Sequence, residues 1–365
     1  MEPPAPAYQQ QLLETAATEG DRDAVASLLD SDARMGDSLH HAIIAGNVDI
    51  VSDLILHGAS LVKRDRLYDL TPLQLVARHG LAGSAVAIID LLVQNGARLE
   101  RGSRSPLFLA VLSGSFATVM ALLRGGADAG SNSGDFGQTP VHAAAGSGDV
   151  RILVALLGSK PGGVSFTDNQ YETPLHYACR QNHSGAVEVL ADADANLEAR
   201  DMFSRTPLVI SLYEFAFATV TTLVQRGAHV NAEDRRGQTA LGHMAYLAER
   251  QGAASMVDFL LRNGGDEAKC NDDGDTPLDM VCDILSLRVD AAGEVQKVHS
   301  LLQNAPADRR WRRIGLFVLL KSLYLQNSNV RVAVMQAAEE GVWSAATAWL
   351  LGSPKEIFRE IVSYI

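Results

Sequence analysis

The chain reads as a mainly α solenoid of stacked helix–turn–helix units with helical caps at both ends. Three observations predict this class. A ten-residue pattern, opening in most copies on Thr or Ser followed by Pro, recurs at a near-constant interval. An apolar pair follows most openings at a fixed distance, and Gly-Ala closes several copies. Such self-similarity marks a repeat architecture, in which each unit is one supersecondary element and stacked neighbours complete its core.

The copies stand in register as TPLQLVARHG from position 71, SPLFLAVLSG from 105, TPVHAAAGSG from 139, TPLHYACRQN from 173, TPLVISLYEF from 206, TALGHMAYLA from 239 and TPLDMVCDIL from 276. An earlier copy, DSLHHAIIAG, begins at Asp37. Each part has a physical reason. Thr offers a hydroxyl that caps the first helix, and Pro, with φ preset and no N–H to satisfy, opens it. Leu and the small residues after it face inward, where neighbouring helices pack closely. Gly46, Gly80, Gly114 and Gly148, each at the tenth position, let the chain leave that helix. The pairs Leu54-Ile55, Leu122-Leu123, Leu156-Leu157 and Leu223-Val224 bury the second helix. Gly58-Ala59, Gly126-Ala127 and Gly227-Ala228 then end it in a left-handed turn.

The Thr-Pro-Leu-His opening, the leucine pair, the Gly-Ala close and a period of about 33 resemble the ankyrin-repeat family. The resemblance covers most of the chain. It implies an ankyrin solenoid whose helix pairs are joined by β-hairpin fingers, and a protein that binds other proteins through the fingers and the concave helix face. Four segments follow. Residues 1–7, rich in Pro, form a disordered tail. Residues 8–36 form a capping helix pair, residues 37–307 the array of about eight repeats, and residues 308–365 a helical extension or degenerate capping repeat.

Against that period the stretch LHYACRQNHSG loses its suggestion of chemistry. His176, Cys179 and His183 would share one helix face. Yet His176 is the fourth residue of its opening, like His142 and His40, and the resemblance implies structural hydrogen bonds for it. Cys179 stands where Ala145 stands one unit earlier. His183 follows Asn182, which replaces the helix-ending glycine. No fourth ligand is present for a structural zinc, so no metal site is expected.

The ends and insertions are less regular. LLETAATEGDRDAVASLLDS, from position 12, and VMQAAEEGVWSAATAWLLGS, from 334, nearly superimpose and read as terminal helix pairs. In the final SPKEIFREIVSYI, Ile357, Phe358, Ile361, Val362 and Ile365 make an apolar stripe. It resembles the opening helix of an F-box and implies an alternative role: the substrate-recruiting subunit of a ubiquitin ligase, with residues 308–365 docking an adaptor. HGLAGSAVAIIDLL from 79 and AERQGAASMVDFLL from 248 carry about four extra residues near the bend between helices. They are candidate variable contact points or extra turns.

Composition narrows the function further. A net charge of −12, without a long basic segment, argues against a nucleic-acid or anionic-membrane binder. Three cysteines are too few for a disulfide framework, no secretory leader is recognisable and no apolar window is long enough to span a bilayer. The expectation is a cytoplasmic or nuclear monomer. There is no Gly-Lys for a P-loop, no HExxH and no GxSxG, so catalytic residues, cofactors and enzyme activity are not expected. What departs from the pattern lies at the finger tips: Tyr68, Phe136 and Phe203 three residues before an opening, Tyr171 one place later, and Arg235 with Arg236 on another finger. Aromatics and arginines dominate interface hot spots. These six are the candidate partner-binding residues of a scaffold or adaptor.

Overall fold

The computed structural model describes residues 6–31, 33–80, 83–99, 104–287 and 293–306. Among these the regular structure is helical, without a β-strand. The chain divides into two compact units at Arg226/Gly227.

In the first unit, helices alternate between two columns. The first-helix column holds α1 (Pro6–Glu19), α3 (Ser38–Ala45), α5 (Pro72–His79), α7 (Pro106–Leu112), α9 (Pro140–Ser147), α11 (Pro174–Arg180) and α13 (Pro207–Tyr213). The second holds α2 (Arg22–Asp30), α4 (Val48–Leu56), α6 (Ala85–Gln94), α8 (Phe116–Arg124), α10 (Val150–Ser159), α12 (Ser184–Asp192) and α14 (Phe217–Gln225). Each helix packs on its partner in the pair and on the next member of its own column. A short 3-10 turn, Pro161–Ser165, follows α10.

The openings behave as their residue types require. Thr71, Ser105 and Thr206 each accept a backbone N–H three residues on, and Pro occupies the first helical turn in every one of these units. At the tenth position Gly46, Gly80, Gly114 and Gly148 all take positive φ. Asn182 does the same at +57°, and so does Phe215 at +53°. The turn is therefore set by the stack, and a bulky residue is tolerated there despite its steric cost. Of each apolar pair only the first member is fully enclosed. Leu54, Leu122, Leu156 and Leu223 have no exposed surface, whereas Ile55, Leu123 and Val224 are half-buried.

Two expectations are corrected. Helix α1 begins at Pro6, inside the stretch expected to be a disordered tail, because Pro is well suited to a first helical turn. The expected β-hairpins between repeats are tight turns without a strand among the described residues: in the finger at 168–172 the Asp168 N–H reaches the Glu172 carbonyl at 3.0 Å and the Tyr171 N–H returns to the Asp168 carbonyl at 3.1 Å. Too few residues are extended to continue a ladder.

The second unit contains α15 (Ala240–Tyr246), α16 (Ala253–Arg262), α17 (Pro277–Leu287) and α18 (294–306). Helix α15 packs on both α16 and α17. The inserted residues between α15 and α16 end at Gly252, at φ +94°. There Glu294 reaches back to accept the N–H groups of Gly252 and Ala254, both at 3.1 Å. A carboxylate at a helix N-terminus satisfies unpaired donors and opposes the helix dipole. Those bonds, that to Ala254 first, hold its acid below the ordinary glutamate range. The expected extension, 308–365, with its F-box-like stripe, lies outside the described residues.

Leu156 is enclosed on all sides, so Leu156→Ala is expected to cost about 2–5 kcal/mol. Urea unfolding followed by circular dichroism measures it.

Candidate functional site: fingers and first-helix face

Five fingers share one device. Asp65, Asp168 and Asp201 in the first unit, and Asp234 and Asn271 in the second, each donate their backbone N–H to a carbonyl four or five residues on. Their side-chain oxygens turn inward to accept the finger's own amides. Asp168 Oδ1 takes Gln170 and Glu172, Asp201 Oδ1 takes Phe203 and Arg205, and Asp234 Oδ1 takes Arg236 and Gln238, all at 2.8–3.0 Å. This is the Asx-turn chemistry of short polar side chains. One finger then bonds the next. The Phe136 carbonyl accepts Asn169 N–H and the Gln170 carbonyl accepts Met202 N–H, each at 2.9 Å. In the second unit the Arg236 carbonyl accepts Asp272 N–H at the same distance.

This lattice sorts the expected contact residues. Tyr68, Phe136, Phe203 and Arg236 occupy one register position, shared by Gln170. Tyr171 does not belong with them. It fills the next position, where Gly137, Gly237 and Gly274 also have positive φ, and is itself at +59°. Tyr68 is half-buried and folds back on its own repeat, with the Arg78 guanidinium 4.3 Å from its ring centre and His79 edge-on. It is a platform and not a protruding anchor. Phe136, Tyr171 and Phe203 remain 55%, 65% and 53% exposed. Phe203 carries the Arg205 guanidinium 4.9 Å from its ring centre, and Arg205 is itself bonded to Asp201. Arg235 and Arg236 are exposed on a finger of the second unit.

Sequence reasoning missed several neighbours. Leu67 and Met202, each just before a finger aromatic, are also exposed. Beneath the Phe136 finger lies a groove of about 580 Å³, lined by Arg78, Arg104, Phe108, Leu112, Asp135 and Phe136 among others. Leu112 carries the same signal as Arg78: each is the eighth residue of its unit, at the solvent end of a first-column helix. A periodic reading assigns that position to a face but does not reveal a hollow.

Behind the fingers, the fourth-position side chains tie repeat to repeat. His142 Nδ1 accepts the Thr139 N–H at 3.1 Å, which leaves the ring proton on Nε2, and that nitrogen donates to the Glu172 carbonyl at 3.0 Å. His176 repeats the bridge from Thr173 to the Arg205 carbonyl. Gln74 does it with an amide: its oxygen takes Thr71 N–H and its nitrogen donates to the Arg104 carbonyl at 2.6 Å. Burial holds both histidines below the ordinary imidazole range and so keeps them neutral. Cys179 is fully enclosed, and burial pushes its thiol up to about 12, far from a reactive thiolate. His183 Nε2 bonds the Gly146 carbonyl of the preceding unit at 3.1 Å. Among the described residues no three His, Cys, Asp or Glu side chains are placed to share a metal ion. No described helix is long and apolar enough to cross a membrane.

Helix pairs stacked in two columns, Thr-Pro caps, imidazole bridges and Asx-closed fingers together define an α-helical repeat scaffold. Residues 39–201 belong to the ankyrin-repeat family: the family model for ankyrin repeats matches residues 39–133 and 107–201. The mouse B-cell lymphoma 3 protein homolog is 33% identical over 48% of this chain and 39% of its own length. The human B-cell lymphoma 3 protein is 31% identical over 57% and 46%. The human transient receptor potential cation channel subfamily A member 1 is 28% identical over 60% and 19%. The chain thus spans less than half the length of these relatives. The solved ankyrin-repeat domain of Bcl-3 superimposes with a TM-score of 0.54 at 27% identity, covering 64% of this chain and 98% of that domain.

The neutral bridges impose a pH dependence. Protonating His142 or His176 would aim an Nδ1–H at a backbone donor. The unfolded chain takes up these protons below pH about 6.5 while the folded chain resists, so stability falls as pH drops through that window. Denaturation midpoints between pH 7 and 5 should show this loss, and His142→Gln with His176→Gln, which copy the amide bridge of Gln74, should flatten it. His142→Ala, lacking both bonds, is expected to cost about 1–3 kcal/mol.

Proposed function

We propose that the chain is a non-catalytic scaffold of the cell interior, cytoplasmic or nuclear, that holds a protein partner on the fingers and first-helix face of its first unit. One observation carries this reading. Phe136, Tyr171 and Phe203 stand exposed on fingers whose backbones bond to the neighbouring finger, and those of Tyr171 and Phe203 are also held by their own Asx turns. Rigid aromatic anchors lose little conformational freedom when they bind, so their apolar area is available to affinity. Repeat proteins of this class bind other proteins, which agrees.

Phe136→Ala combined with Phe203→Ala tests it. Both rings are solvent-facing, so thermal stability should change by no more than about 0.5 kcal/mol equivalent. Proteins recovered from the native cell by the wild-type chain and identified by mass spectrometry should be lost with the double variant. Unfolding of the double variant would make the rings structural, and unchanged recovery would move the binding face elsewhere. Tyr171→Gly separates the two roles in one residue. Removing a left-handed tyrosine should raise stability by about 1 kcal/mol, while loss of its exposed ring weakens partner recovery.

A further inference from the structure

Most of the cations near the fingers of the first unit are consumed internally. Lys63 and Arg66 reach Asp37, Arg64 reaches Asp69, Arg205 reaches Asp201, and Arg180 is bonded to Glu172, whose side chain is 2% exposed. Arg78 and Arg104 differ. Neither forms an ion pair among the described residues, both are exposed, and both line the groove under the Phe136 finger. Arg78 is held in place by its stacking on Tyr68, and Tyr68 by the edge of His79. The remaining lining mixes apolar side chains with Ser113, Gly134 and Gln138: Phe108 is half-buried, Leu112 is 61% exposed and Phe136 is 55% exposed. Asp135 is an acidic residue on the rim.

A chain of net charge −12 thus presents, in one hollow, two uncommitted guanidinium groups beside apolar side chains. Guanidinium forks match carboxylates, often through two parallel bonds, and the pairing gains strength where apolar neighbours exclude water. The volume suits a few side chains of a partner and not a whole domain. We infer that this groove receives a short acidic segment of the partner protein, with an Asp or Glu carboxylate on Arg78 and Arg104 and a bulky apolar side chain between Phe108, Leu112 and Phe136. The assignment rests on the proposed binding face and adds the chemistry of what docks there. It also explains the use of Tyr68, whose ring serves by positioning Arg78 instead of touching the partner.

A random dodecapeptide library displayed on phage, panned against the full chain, tests the inference. Enriched peptides should carry Asp or Glu within a few residues of Leu, Ile, Phe or Trp. A synthetic fluorescein-labelled copy of one should bind about tenfold more weakly to Arg78→Gln with Arg104→Gln, and its affinity should fall as salt rises. Tyr68→Leu should weaken it less, through Arg78. Phe136→Ala should weaken binding of the same peptide without loss of thermal stability.

The outcomes are separable. Peptides that lose affinity with Phe136→Ala but not with the double arginine variant, or that are enriched in Lys and Arg, leave the binding face standing and overturn the acidic chemistry. Peptides indifferent to both variants overturn the groove and the proposed face together. No enrichment overturns the groove as a peptide site. A dimer in sedimentation that the double arginine variant dissociates would give the groove to a second copy and overturn the proposal.

Discussion

At three openings one side chain does two jobs that no backbone bond can do. At the fourth position, His142, His176 or Gln74 accepts the N–H of its own cap and donates to a carbonyl about thirty residues further along the chain. The first bond sets where a helix begins; the second sets where the next finger must stand. Both bonds of His142 are buried, so leaving either unmade would strand a polar group away from water. Where such a bridge stands, an insertion before the next opening must be looped out without moving the carbonyl. The inserted residues 247–252 are looped out between α15 and α16.

Where that bridge is incomplete the local structure changes. In the copy beginning at Asp37 the cap N–H goes to Glu14 Oε1 of α1 instead. His40 keeps its bond to the Lys63 carbonyl, but its Nδ1 has no hydrogen-bond partner among the described residues. The terminal helix pair thus takes over a donor that a Thr-His box would have used. A cap helix can finish the stack in this way because it offers a carboxylate at the right height.

Because the bridges hold the finger bases, the tips can depart from the pattern. The fingers close through backbone bonds and, in five of them, an Asx side chain, so the tip side chains are not needed for closure. Left-handed backbone, normally the province of glycine, is imposed on Asp69, Tyr171 and Ser204 alike. Strain at such sites persists only when the surroundings over-determine the conformation. The same rigidity that tolerates it presents aromatic and apolar side chains to solvent in a fixed arrangement.

Much of this was legible in the residues. The period, the caps, the glycine turns and the buried leucine pairs follow from local chemistry repeated in register, and repetition multiplies weak signals; the structural duty of His142 and His176 was implied by the family resemblance. Asn182 in a glycine position was legible too. The groove was not, since Arg78 and Arg104 belong to one unit and Phe108, Leu112 and Phe136 to the next, and their approach depends on how the units stack. Nor was the fate of Tyr68, for a ring three residues before an opening can point outward like Phe136 or lie under an arginine. Glu294 capping a helix that starts 41 residues earlier and Phe215 in a left-handed turn carry no sequence signal at all. Sequence by itself determined which residues are interior and at what interval, because burial and capping depend on residue type and near neighbours. Which exposed charges stay uncommitted, and which apolar tips converge on one hollow, only the tertiary structure decided, because those depend on distances between side chains far apart along the chain.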